Sequence, residues 1–248
     1  MKKIGTLTWL ERTGGKLAFH ERLNLIAQGV RAKAMAKKHR GVKLRVMEVA
    51  DIQPPDSAMT RAAIAICQDA SEPFLFNHCF RAYFWARLLD NDQRPYDHEA
   101  MFTAMMLHDI GLTEQHRLKS NQEQCFTLAG ARLVNSLAQK HAWEDHRANI
   151  AANAISLHLN ILVGAEHGKE AQMVRAGSGA DVAGISLNLL HSDQIDSVIT
   201  CYPRLNMKQN IISALNNEAE ACPCCRIAFL RNRLGFHDLI QGTRVFKE

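Results

Sequence analysis

A small set of residue types in this chain could do metal chemistry. The densest pair lies in MFTAMMLHDIG, residues 101–111, where an apolar helical run ends in adjacent His108 and Asp109. Imidazole nitrogen with carboxylate oxygen suits Zn²⁺, Fe²⁺ or Mn²⁺. A His-Asp dipeptide is common in long chains, so other residues must supply the remaining ligands. His78 lies within the aromatic-rich run FLFNHCFRAYFWARLL. A neutral imidazole buried there needs a partner, and its commoner use is a bond to a backbone carbonyl. Arg81, three residues on, shares its helical face. Two polar side chains on one face of an apolar helix suggest a lined cavity, with His78 on an ion and Arg81 orienting an acid or a substrate oxygen. Asp181 is a lone carboxylate in GSGADVAG, where Gly177, Gly179 and Gly184 permit close backbone approach. Its ordinary use would be a helix N-cap, and the metal reading gains weight from the three ligands already in hand. His158, at the end of a clean apolar face in AISLHLN, is the fifth candidate. An imidazole titrates near neutrality, so it could shuttle a proton or add a ligand. The other histidines read as surface residues.

These residues need helices to carry them. Hydrophobic residues make up 47% of the 248, aromatics only 6%, and Ala, Leu and Met dominate over strand-forming runs. Residues 1–20 are ambiguous and are taken as an N-terminal arm: IGTLTWL is compatible with a short strand, and TGGK is a turn signal. A helix is expected over 21–40, closed by Gly41, and the alternating 42–49 reads as a strand or extended linker. DIQPPDS at 51–57 is a boundary, with Asp56 or Ser57 placed to cap the next helix. Helices are then expected over 57–69, 73–89, 96–109, 122–140, 144–159, 167–176, 177–190, 207–221 and 224–233. Gly111 is the expected left-handed cap after the His-Asp pair. The class is all-α, a bundle of eight to ten helices over residues 51–248 behind an N-terminal arm, residues 1–50.

Charge and cysteine usage narrow the setting. The formal charge is +5. Residues 31–45, RAKAMAKKHRGVKLR, hold seven Lys or Arg and no acid. A solvated helix face is favoured over a nucleic-acid contact, since no nucleic-acid motif accompanies the run. No apolar stretch approaches the roughly 20 residues of a membrane span, and no signal peptide is visible. Seven cysteines, an odd number in a long chain, are expected as reduced thiols in the cytoplasm. CPCC at 222–225 lacks a second ligand pair at finger spacing, so a zinc knuckle is not expected.

The order His78, His108-Asp109, Asp181 resembles the metal-dependent HD-domain superfamily. NHCFRAYFWARLL, MLHDIGLT, FTLAGARLV, AISLHLN, GSGADVAG and YPRLNMK together resemble its cyanamide hydratase-like branch, from about residue 51 to 248. The resemblance implies an HD-domain helical bundle holding one divalent ion, Zn or Fe with Mn as the alternative, on His78, His108, Asp109 and Asp181. It also implies that His158 lies near the open side of the metal. Two positions depart from the pattern. Leu112 stands where many HD phosphohydrolases carry a Lys, and Thr127 where hydratase relatives carry a Glu.

The function expected is a metal-dependent hydrolase or hydratase that activates water against a small, cyanamide- or nitrile-like molecule. Asp109 would orient the water, His158 would carry the proton, and Arg81 would hold a substrate atom or brace a ligand. The alternative is a phosphohydrolase acting on a nucleotide or other phosphoester, against which Leu112 counts. A non-catalytic module with a structural ion is the third reading. The partner expected is a small-molecule substrate, with no membrane and no nucleic acid; a homo-oligomer is compatible with the sequence.

Overall fold

Capping residues and apolar stripes set the elements of the computed structural model, which describes residues 3–38, 44, 47–117 and 124–246. The described residues form twelve α-helices and no strand: α1 (Leu7–Thr13), α2 (Phe19–Lys38), α3 (Ala58–Ala70), α4 (Pro73–Leu88), α5 (His98–Leu107), α6 (Thr127–Lys140), α7 (Asp145–Leu157), α8 (Lys169–Ala183), α9 (Ser192–Cys201), α10 (Met207–Ala221), α11 (Arg226–Leu234) and α12 (Phe236–Gln241). The all-α expectation stands. Ser57 opens α3 with a reciprocal capping box, Pro73 occupies the first turn of α4, and Asp97 caps α5 through the Ala100 amide.

The core is arranged around α4 and α5, both apolar nearly all round. Every residue of α5 from Ala100 to Leu107 is buried, and α4 buries Phe74, Tyr83, Phe84 and Trp85 among others. A helix without a polar face must be enclosed. Here α3, α7 and α8 enclose the pair, and α6 packs along α7. Gly177 decides how close α8 comes. A Cβ there would lie 2.1 Å from the Ala82 carbonyl oxygen, so only glycine lets α8 rest on the α4 backbone. That approach brings the last turn of α8 within reach of His78.

Several local expectations differ from the structure. IGTLTWL contributes to α1, not to a strand: the Thr6 side chain accepts from the Trp9 amide, and Gly14 closes the helix in the left-handed region. Trp9 and Leu10 are fully buried, and the Trp9 indole donates to Glu21 at 2.6 Å. In place of the two helices expected over 167–190 there is one, α8, which Gly184 closes in the left-handed region, and a short 3-10 turn at Leu187–Leu189. Two mid-helix glycines cost about 1 kcal/mol each in propensity, and the close packing they permit outweighs that. Helices α9 and α12 were not expected. Gly111 is not a left-handed cap: it has no positive φ. It sits in a tight turn, Ile110–Leu112, where a Cβ would lie 2.2 Å from the Phe126 carbonyl oxygen. His98, expected at the surface, is half-buried and accepts from Arg87 at 2.9 Å.

Cys222 and Cys225 are joined in a disulfide, Cα to Cα 5.4 Å, which corrects the expectation of reduced thiols for that pair. Cys67, Cys79 and Cys125 are free and buried; Cys201 and Cys224 are free and exposed. No described helix is long and apolar enough to cross a membrane. Of the segment read as a strand or linker over 42–49, residues 42, 43, 45 and 46 lie outside the described residues, and Val49 opens a short 3-10 turn, Val49–Asp51. In the basic stretch, Arg31 and Lys33 are exposed on α2, and most of the remainder lies outside the described side chains.

Gly177→Ala should lower stability by about 2 kcal/mol, because the added methyl must push two buried helices apart. A urea unfolding midpoint unchanged from wild type would contradict this account of the contact between α4 and α8.

Candidate metal centre

Four helices deliver the candidate residues by two devices. His78 projects from the middle of α4, and Asp181 from the last turn of α8. His108 and His158 are each the residue immediately after a helix, α5 and α7 respectively. Helix ends leave carbonyls without intrahelical partners. Each of these histidines bonds to a carbonyl of the last turn: His108 Nδ1 lies 2.8 Å from the Met105 oxygen and His158 Nδ1 lies 2.7 Å from the Ile155 oxygen, which also accepts the His158 amide at 3.4 Å. A carbonyl can only accept, so both Nδ1 atoms carry the proton and both Nε2 atoms present lone pairs.

His78 reaches the same state by another route. Its Nδ1 lies 2.7 Å from Asp181 Oδ2 and donates to that carboxylate. Its Nε2 therefore also presents a lone pair, 3.1 Å from His108 Nε2. Asp109 Oδ2 stands 3.4 Å from each of these two nitrogens, and Asp109 Oδ1 stands 3.3 Å from His158 Nε2. With all three imidazoles neutral, acceptors converge here without a donor among them, all in buried residues. Only a proton or a cation can reconcile them. His78, His108 and Asp109 offer ligand atoms within 4.8 Å of one another, and this buried group could hold a metal ion.

The electrostatics reflect that crowding. Burial opposes a charge on His78, yet the hydrogen bonds and charges of Asp109 and Asp181 outweigh it and raise its pKa. Burial pushes His108 down to about 3, so it is neutral near neutral pH and fit to ligate. Burial also works against the Asp109 carboxylate, but His108, His158 and His78 hold its pKa well below the usual range.

Asp181 does not join the other three expected ligands. It lies behind His78, on Nδ1, while the ligand group gathers at Nε2. Its oxygens are engaged elsewhere: Arg81 clamps both, with Nε on Oδ1 at 2.8 Å and Nη2 on Oδ2 at 2.9 Å, and the Trp85 indole donates to Oδ1 at 2.8 Å. Burial alone would raise its pKa; Arg81, His78 and Arg204 hold it well below the usual range. A carboxylate on the far nitrogen of a ligating histidine fixes the tautomer and increases ring basicity. Arg81 is likewise committed. It is fully buried, and its Nη1 donates to the Tyr202 and Pro203 oxygens at 3.0 Å each. It braces Asp181 from behind and takes no part in lining the cavity on the ligand side.

That cavity, of about 140 Å³, opens from His78, His108, Asp109 and His158. Its walls are mostly apolar, with Phe126, Ile161, Val182 and Ile211 among them. Asn160, Ser178 and Arg175 are its other polar side chains. Arg175 was missed in the sequence. The available signal was a single cation in MVRAGSGAD, a helix segment otherwise of small and apolar residues. Trp85 and Arg204 were missed as partners of Asp181. Neither leaves a readable trace, since an aromatic in a core helix and a cation near a proline are ordinary.

No family model matches this chain, and no curated protein matches it.

Arg81→Met should cost about 3–5 kcal/mol of stability, because it leaves the buried Asp181 carboxylate without its principal countercharge. Chemical denaturation measures this; a loss under about 1 kcal/mol would show that Arg204, Trp85 and His78 suffice.

Proposed function

We propose that this protein is a metal-dependent hydrolase or hydratase of the HD-domain type, acting on a small molecule in the apolar cavity. One observation carries the reading: the Nε2 atoms of His78 and His108 and the Asp109 carboxylate meet at the cavity end within 3.4 Å of one another, as a ligand group would. A single divalent ion, Zn or Fe with Mn as the alternative, fits that donor set. When bound, it supplies the Lewis acidity that makes water a nucleophile near neutral pH.

The chain's own groups have separable tasks. Asp181 and Arg81 keep the Nδ1 proton of His78 in place, so that its Nε2 stays directed inward. Asp109 turns Oδ2 toward the two imidazoles and Oδ1 toward His158, and so can align a water between them. His158 presents the free Nε2 lone pair that accepts the proton of the attacking water and returns it to the product. On a nitrile-like carbon, water oxygen adds to carbon and one proton passes to nitrogen, giving an imidic acid; transfer of the second oxygen proton to nitrogen then gives the amide. The apolar walls exclude bulk water and admit a compact substrate. Likeness of the ordered segments to the cyanamide hydratase-like branch supports this choice of reaction.

A phosphoester is the second reading, and Arg175 is the observation in its favour, since it places a cation in the same cavity. Against it, Leu112 is buried in the apolar core where a phosphate-binding Lys would be wanted. A purely structural ion is less well supported, because the ligand group faces a cavity and is not enclosed by protein.

Protein purified without added metal should carry about one divalent ion per chain, and His108→Ala should lose it. Asp181→Asn should retain the ion with affinity lowered about 10–100-fold, as for a group that orients a ligand. Affinity should fall about tenfold per pH unit once His78 protonates, beginning above its ordinary value of 6.5 because its pKa is raised. Unchanged metal content in His108→Ala would end the assignment. With the loaded enzyme, turnover of cyanamide or nitriles is expected; turnover of a phosphoester panel alone would reverse the order of the two readings.

A further inference from the structure

The cavity contains one charge that the metal chemistry leaves unused. Arg175 lies on α8, nearly two turns before Asp181, and lines the cavity with the ligand group. Among the described residues its single hydrogen bond is long: Nε donates to the Asn160 oxygen at 3.4 Å. Among those residues, too, no carboxylate pairs with it, and its two terminal nitrogens have no protein acceptor. The other guanidiniums deep in this region are committed. Arg81 is held by Asp181 and two carbonyls, and Arg226 donates to Asn160 Oδ1 and the Ser156 oxygen at 2.8 Å each.

Arg175 is half-buried, and a partly desolvated cation without a protein countercharge favours an anionic partner. Burial lowers its pKa from the ordinary arginine value, with no charged neighbour contributing. A guanidinium presents a planar fork of donors that matches the two oxygens of a carboxylate or phosphoryl group. Ile161, Val182, Ile185 and Leu239 line the same cavity. They suit a hydrocarbon body and offer nothing to a second charge.

We propose that Arg175 is a specificity-determining residue that anchors an oxyanion on the substrate, so that the site takes apolar molecules carrying one anionic head. The proposal rests on the cavity being the substrate site of the proposed enzyme. It adds that the substrate has two ends: a reacting group near His108 and Asp109, and an anionic group held by Arg175. Among the nitrile-type molecules of the proposed reaction, those that also carry a carboxylate or phosphoryl head on a short apolar chain are then the better substrates, and neutral, headless ones the poorer.

Calorimetric titration tests this without any turnover. Hexanoate, hexyl phosphate and hexanol are titrated into metal-loaded wild type, Arg175→Gln and Arg175→Lys. One of the two anions should bind at least about tenfold tighter than hexanol to wild type, in line with a charge-assisted hydrogen bond. Which anion prevails assigns the head as carboxylate or phosphoryl. Arg175→Gln should lose the preference with metal content unchanged, and Arg175→Lys should keep part of it. The same titrations on chelator-treated protein should retain the preference, which separates anchoring by Arg175 from direct binding of the anion to an ion. Equal affinities for anion and alcohol in wild type, or a preference untouched in Arg175→Gln, would overturn the proposal. Absence of metal from wild type would instead count against the metal reading, and the titrations would still report on Arg175.

Discussion

The bond between Asp181 and His78 Nδ1 is the constraint on which the centre depends. It joins α4 to α8 across a fully desolvated contact, and it is itself held by the two-pronged clamp of Arg81. Without that carboxylate His78 could hold its proton on either nitrogen, and its inward face would be undefined. With it, the inward nitrogen is a lone pair. The helix contact that makes the bond possible rests on the missing side chain of Gly177. A backbone approach and a tautomer are thus one physical fact seen at two scales.

The same principle recurs at the two helix ends. His108 and His158 each come directly after the last residue of a helix and turn Nδ1 back to a carbonyl three residues earlier. Carbonyls of the last helical turn become the fixed points of the inward-facing imidazoles. Two rings nearly perpendicular, 84° apart with centroids at 4.9 Å, then frame the Asp109 carboxylate. Orientation comes from the backbone at those two positions and from the buried hydrogen bond to Asp181 at His78. The result is rigid because each ring is tied at the nitrogen that does not face the centre.

Charge is distributed so that one side of the centre is closed and the other open. Behind His78, Asp181, Arg81, Trp85 and the carbonyls of Tyr202 and Pro203 satisfy one another. In front, an apolar cavity holds a cation that the described protein groups do not neutralise. Arg226 supports the wall between the two helix ends by binding Asn160 and the Ser156 carbonyl, with its guanidinium 5.3 Å from the Trp9 ring centre. The N-terminal helix therefore takes part in holding the turn that carries His158.

Residue types and spacing were enough to read the helical class, the apolar faces of α4 and α5, and the identity of His78, His108, Asp109 and His158 as neighbours in chemistry. Those features are local: hydrophobic period, caps and the rarity of polar groups in apolar runs all lie within a few residues of one another. What the sequence could not decide was which atom of each side chain faces which partner. Asp181 looks like a fourth ligand in one dimension, but an imidazole has two nitrogens that point in different directions, and only packing decides which one a carboxylate meets. Arg81 and Arg175 show the same limit. Both are single cations in helices of small or apolar residues, yet one is spent on a buried carboxylate and the other is left facing a cavity. That difference is made by residues distant in sequence, where α4, α7 and α8 converge, and so it belongs to the tertiary structure alone.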